Sequence, residues 1–329
     1  MFCCIIDYPI SFNPLYLGWF CGRIKITRLC SDSPVTTDGT ALASDQGLPI
    51  TREWIDRCSE WEKIPENPYD STNTSKYDDD ETDNSSSSCD ISSNSGRENK
   101  SNESSFSSFK ISSDAKCILV IEKEGAYKRL SEERFYDRYP CVLVTGRGYP
   151  DLATRALVYS LHNELGIPVF GLCDCDPHGV SVLRTYRRGS ERRGVDGGDR
   201  YGVPIGWLGL RPSQVDALEE RLPREVYLSM TDHDKRRVEG LINESGDEAF
   251  VNERILRRED VRNDNINKSG QGERAKEIKR MTISGRKVEL EALHWLGMNF
   301  TGQWLEEILW LHERQAKNSE VTPLEKTIL

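Results

Sequence analysis

The sequence predicts an α/β fold: a parallel sheet flanked by helices, with a helical C-terminal extension and a disordered insertion. Two observations lead there. Three short apolar runs, CILVI, CVLVTG and PVFGL, each end in polar or glycine-bearing text that leads into a helical pattern. Strands alternating with helices at this spacing form βαβ units, and those build parallel sheets. Ahead of these runs, residues 65–113 are dominated by Ser, Asn, Asp and Glu, with too little apolar surface to offset the entropy of ordering them.

The elements follow in order. Residues 1–64 hold short apolar runs, with Gly18 and Gly22 around Trp19 and Phe20, but no independent core, so they read as the edge of something larger. CILVIEKEG, starting at Cys117, is a buried strand feeding a loop and helix. SEERFYDRY is polar and helical and precedes the second strand, CVLVTG. Asp151 is placed to cap the next helix, whose Ala153, Leu157, Leu161 and Leu165 share one face, and Gly166 and Pro168 end it. PVFGL is a third strand running into CDCDPHG, with a helix from about Val180 to Tyr186, and Ile205 to Leu210 is a fourth strand. Beyond it the chain is charged and largely helical.

A chain of 329 residues can bury a substantial core. Its net charge of -10 argues on average against a nucleic-acid partner, but much of the acidity lies in KYDDDETDNSSSSCD, residues 76–90, while Arg184, Arg187, Arg188, Arg192, Arg193 and Arg200 crowd one later segment. Ten cysteines with no Cys-x-x-Cys pair, several inside strand-like runs, read as buried reduced thiols. No apolar stretch has the length to span a bilayer, and the first residues lack a basic segment and cleavage site, so an intracellular location is expected.

In parallel sheets, ligands gather at the carboxyl ends of strands. Glu122 ends the first strand, and Asp174 and Asp176 end the third, two residues apart so that both can face one side. Three clustered carboxylates call for a positive charge between them, and hard oxygen ligands suit Mg²⁺ or Mn²⁺. An Asp-x-Asp before Pro-His-Gly is also a good turn sequence. Lys123, Glu124 and Lys128 read as a solvated helix start, and His178 as a turn or hydrogen-bonding residue outside the metal shell. RTYRRGSERRG follows the acidic loop by one short helix, so Arg184, Arg187 and Arg188 can flank a metal and hold a phosphate backbone, while TGRGYPDLATR brings Arg147 and Arg155 near the second strand's end.

VIEKEG, TGRGYPDLATR, CDCDPHG and GRKVELEALH, in that order, resemble the A-type chain of type VI topoisomerases and its meiotic double-strand-break relatives, with GWFCGRIKI resembling the strand before that family's Toprim domain. The resemblance implies a Toprim-type sheet in residues 114–329 with its helical extension, residues 1–64 as a remnant of the segment linking a winged-helix domain to Toprim, and 65–113 as an insertion. It places Mg²⁺ on Glu122, Asp174 and Asp176. It implies attack by a tyrosine hydroxyl on a DNA phosphodiester, leaving a 5′-phosphotyrosyl link, in a dimer where one protomer's tyrosine meets the other's metal. The partners it implies are DNA, a second copy or family member, and a meiotic accessory protein or B-type ATPase subunit, in the nucleus, with no membrane. That tyrosine belongs to the winged-helix domain, and neither Tyr8 nor Tyr16 has its Arg-then-Tyr setting, so no nucleophile is assigned.

Competing readings are another Toprim nuclease, a nucleotide-sugar transferase using Asp-x-Asp to hold Mn²⁺, and a catalytically inactive DNA-binding or dimerisation subunit. A dehalogenase-type phosphatase needs Thr or Val where His178 stands.

Overall fold

A computed structural model describes residues 18–29, 33–41, 47–61, 109–189, 200–245 and 264–320. The three apolar runs form the strands β6 (Cys117–Ile121), β7 (Cys141–Thr145) and β8 (Val169–Leu172), which pair in parallel, and β9 (Ile205–Gly209) adds to β8 in the same sense. Every side chain of β6 and β7 is buried, which is why both read as continuous apolar text and not as alternating patterns.

The sheet is mixed, not purely parallel. Upstream strands β1 (Trp19–Gly22) and β4 (Leu48–Pro49) join it antiparallel, giving the order β4-β1-β7-β6-β8-β9. The expectation that the first residues form the edge of something larger is met inside this chain. A second, three-stranded sheet holds β2 (Lys25–Leu29) between β3 (Pro34–Asp38) and β5 (Lys110–Ser112). β5 falls within the predicted insertion of residues 65–113, so ordered structure starts at least by residue 109; the rest of that insertion lies outside the described residues. β5 escapes sequence reading because it is a three-residue, mostly exposed strand defined by its pairing with β2 and not by apolar content of its own.

Helices cover both faces. One core gathers Leu119, Ile121 and Leu143 with α2 (Glu124–Glu132) and α3 (Phe135–Arg138), and with later segments that include α9 (Phe300–Glu320). The other gathers Ile118, Val120, Val142 and Val144 with α1 (Glu53–Trp61), α4 (Leu152–Leu165) and α5 (Pro177–Arg188). Asp151 caps α4 through Thr154 N at 2.7 Å, and Gly166 ends it in the left-handed region, both as the sequence predicts. α6 (Pro212–Ala217), α7 (Asp232–Ser245) and α8 (Asp264–Ser284) make up the extension with α9, α8 packing on both α6 and α7. β10 (Leu228–Ser229) and β11 (Arg286–Lys287) pair antiparallel at the two ends of the α7–α8 segment, and Val288 just after β11 bridges to Cys175 beyond β8. Among the described residues the six cysteines are free and buried, and no helix is long and apolar enough to cross a membrane.

α5 is seated by a glycine. A Cβ at Gly171 in β8 would stand 2.3 Å from a Leu183 methyl, inside a packed core where that side chain has little room to yield. Gly171→Ala is therefore expected to cost about 1–3 kcal/mol in denaturant unfolding; an unchanged unfolding midpoint would show that α5 does not need this close approach.

Candidate metal centre

The parallel register brings the ends of β6 and β8 side by side, with Ile121 opposite Leu172. Glu122 leaves the first strand and its Oε2 accepts the backbone N–H of Asp174 at 3.1 Å. Asp174 is 8 % exposed; its Oδ1 accepts the Leu290 N–H at 2.8 Å and its Oδ2 lies 3.2 Å from Lys123 Nζ. Asp176 is the N-cap of α5, its Oδ1 taking the Gly179 N–H at 2.7 Å, and Pro177 opens the first turn. Asp-Pro-His-Gly is thus a helix start, and α5 begins three residues before the Val180 expected from sequence.

Gly179 lets these pieces close up. A Cβ there would meet the Asp174 carbonyl at 2.7 Å and Glu122 Oε2 at 3.0 Å. On the far side, Cys175 and Val288 exchange backbone hydrogen bonds at 2.8 and 3.2 Å, which is how the GRKVELEALH segment delivers Leu290 N–H, Glu289 and Glu291 to the site. Lys123 Nζ reaches Glu291 at 2.7 Å and Glu289 at 3.2 Å as well as Asp174. Its reading as a solvated helix start is corrected: it is the cation of the acidic site. Glu289 and Glu291 escape sequence reasoning because more than a hundred residues separate them from the acidic loop, and VELEALH alone reads as helix; it forms a 3-10 turn over Leu290–Leu296.

Electrostatics show how tightly the carboxylates are held. Burial, then the charge of Asp174, pushes the Glu122 carboxyl from 4.5 to about 7. Burial also raises Asp174, opposed by the Leu290 N–H and Lys123. For Lys123, burial is more than offset by Glu291, Asp174 and Glu289, and its pKa rises. Two carboxyl groups kept from ionising freely, with the carboxylate of Asp176 two residues on, offer oxygen donors whose charge a divalent cation would balance. The donor chemistry fits Mg²⁺.

The arginines predicted to hold phosphate do not all share this surface. Arg147, in the left-handed region after β7, pairs with Glu124 at 3.2 Å and lies over the Trp19 ring at 5.5 Å. Arg184, Arg187 and Arg188 are half-buried along α5. Arg155 is 3 % exposed on α4 and is withdrawn from the set, since a duplex phosphate cannot reach it; position near a strand end did not disclose which face of the helix it occupies. Arg192 and Arg193 lie outside the described residues, as do Tyr8 and Tyr16. His178, left outside the metal shell, instead stands with His233 and Asp234, their ligand atoms within 4.8 Å of one another.

Residues 117–309 match the family model for the Toprim domain of the topoisomerase 6 A-type chain and Spo11. The chain belongs to this family. It is 37 % identical over 190 residues to the A3 chain of DNA topoisomerase 6 from Oryza sativa subsp. indica, covering 58 % of this chain and 38 % of that protein. It is 31 % identical over 195 residues to Meiotic recombination protein SPO11-2 of the same subspecies, covering 59 % and 43 %, and 37 % identical over 130 residues to Meiotic recombination protein SPO11 of Mus musculus, covering 39 % and 32 %. The chain spans less than half the length of these curated relatives. The site described above lies within the Toprim match.

A carboxyl group whose pKa is higher folded than unfolded favours the protonated fold. That contribution is present below the unfolded value and is lost as pH rises through the folded one. In chelator, thermal stability should therefore fall between about pH 4.5 and 7, and Glu122→Gln should remove much of that fall and melt above the parent at pH 8. A variant that tracks the parent at every pH would show that Glu122 is not the strained group.

Proposed function

We propose that this chain supplies the Mg²⁺-binding Toprim site of a DNA-breaking transesterase that makes double-strand breaks in meiotic recombination, in the nucleus. What supports this reading is that Glu122 and Asp174 lie at the adjacent ends of β6 and β8, with Asp176 two residues on, within the family-matched residues. Glu122, Asp174 and Asp176 would hold the cation, with residues 114–329 as the Toprim domain and its extension, and β1 and β4 completing its sheet.

The bound cation would stabilise charge on the reacting phosphate and the leaving oxygen. The chain's own residues set the stage for that. Leu290 N–H and the Asp174 N–H fix the carboxylates of Asp174 and Glu122, and α5 holds Asp176 by its cap. Lys123 neutralises the site and must yield Asp174 when a cation binds, remaining with Glu289 and Glu291. Arg147, Arg184, Arg187 and Arg188 would contact the DNA backbone. The attacking tyrosine is assigned to no residue of this chain, and the assembly would be a dimer with a second copy or family member, completed by a meiotic accessory protein or an ATPase subunit. The topoisomerase reading rests on the topoisomerase 6 relative and the meiotic reading on the SPO11 relatives.

Asp174→Asn together with Asp176→Asn keeps one acceptor oxygen at each position for Leu290 N–H and Gly179 N–H, so the fold should persist while Mg²⁺ binding by calorimetry is lost; retained Mg²⁺ affinity would sink the triad. In parallel, the purified chain should bind DNA without forming a covalent adduct, and covalent capture would show that the nucleophile is present after all.

A further inference from the structure

Beside the acidic centre, α5 and α7 frame an open cavity of about 380 Å³ whose lining holds Arg184, Arg236 and Arg237 with His233 and Ser181, and no carboxylate among the described residues. Arg237 is fixed on both sides: its Nε donates to Ser181 Oγ at 3.0 Å and its Nη2 to the Tyr149 hydroxyl at 2.9 Å. Ser181 is itself held, its hydroxyl donating to the Pro177 carbonyl at 2.8 Å. Arg236 donates to the Asp232 carbonyl at 3.2 Å. Neither Arg236 nor Arg237 forms an ion pair among the described residues, although carboxylates are close by: Asp232 pairs with Lys235, and Asp234 with Lys287. Arg237 spends two of the five N–H donors a guanidinium carries, both on neutral oxygens. The neighbouring guanidinium groups of Arg236 and Arg237, with no ion pair among the described residues, repel, and a planar fork held by hydroxyls is the arrangement that receives a phosphate oxygen pair.

Resting on the reading of this chain as DNA-binding, we propose that the α5–α7 cavity holds a backbone phosphodiester of the DNA whose reacting phosphate lies at the acidic centre, with Arg236 and Arg237 as its principal contacts. Position favours a nucleic acid over a small anion or an acidic peptide. α5 starts at Asp176 and reaches Ser181 and Arg184 one and two turns on, about 8 and 12 Å along its axis. Phosphates of one strand recur about every 3.4 Å of duplex axis, so a strand held at Asp176 passes the cavity a few nucleotides away. Tyr149 ties the same arginine to the loop after β7, where Arg147 stands, so the cavity and the acidic site share one rim. Arg236 and Arg237, in DKRRVEG, give no signal in the sequence because an exposed charge run on a helix is ordinarily a solvated face.

The test is the salt dependence of binding a fluorescent duplex to the full chain in Mg²⁺, by anisotropy, for the parent, for Arg236→Gln with Arg237→Gln, and for Arg237→Lys. Loss of two phosphate contacts should flatten the slope of log affinity against log salt by about 1.8 and weaken binding roughly tenfold or more at low salt, with thermal melting and calorimetric Mg²⁺ affinity unchanged. Arg237→Lys keeps the charge but not the fork and should fall between. A double variant with the parental slope overturns the proposal while leaving the metal reading intact. Loss of inorganic-phosphate or poly-glutamate binding in the double variant, with the duplex slope unchanged, also overturns it, in favour of a small anion or a protein partner. A parent chain that binds no duplex overturns the DNA reading itself, and the cavity's assignment with it.

Discussion

Repulsion between carboxylates is the constraint around which this domain is arranged. Two adjacent parallel strands, β6 and β8, end in acids, and their register leaves Glu122 against the backbone of Asp174 in a site that water hardly enters. Left alone, such a group would protonate or open the loop. Four groups, of which only Leu290 is distant in the chain, oppose the second outcome. The Asp174 and Leu290 N–H groups and the Lys123 ammonium each neutralise part of the charge, and α5 offers its N-terminus to Asp176. Burial first, and the charge of Asp174 after it, still push the Glu122 carboxyl upward. A site under-compensated in this way is prepared for a cation in a manner that a closed salt-bridge network is not.

The C-terminal extension is part of this compensation and not an appendage. Antiparallel pairing with β10 fixes β11, and the exchange between Cys175 and Val288 then places Leu290 N–H on Asp174. Because Lys123 bridges Asp174 to Glu289 and Glu291, the extension also controls where the ammonium rests. Its neighbour α7 packs along α5, so the helix that carries the cap of the acidic loop also forms one wall of the arginine-lined cavity. One helix thus presents a negative end and a positive flank to the same rim.

Much of this was legible in the sequence, and the boundary is physical. CILVI and CVLVT disclose buried parallel strands because both faces are covered, and Asp151 and Gly166 disclose α4 because capping needs those residue types. The nearness of Glu122 to Asp174 was legible because each follows a strand of the parallel sheet, and the register sets those ends side by side. What was not legible depends on long-range closure: β1 and β4 turning the sheet mixed, β5 ordered by its partner, Glu289 and Glu291 brought in by the bridge of Cys175 with Val288, and Lys123 drawn inward. The burial of Arg155 was hidden for a related reason, since position near a strand end cannot tell a helix's core face from its rim.

The net charge of -10 looks unsuited to a polyanion until it is resolved in space. Near the acidic centre, Glu122 and Asp174 accept backbone N–H groups and the exposed Glu289 and Glu291 pair with Lys123, while Arg236 and Arg237 line an opening with no acid among its described lining residues. Screening over about 10 Å at 0.1 M salt makes a phosphate at that opening respond to the arginines far more than to acidity elsewhere on the chain. A strand crossing this rim would meet positive charge first and acids only where a cation intervenes. Placement, and not the total, therefore decides whether an acidic protein can hold DNA, and here α5 does the placing.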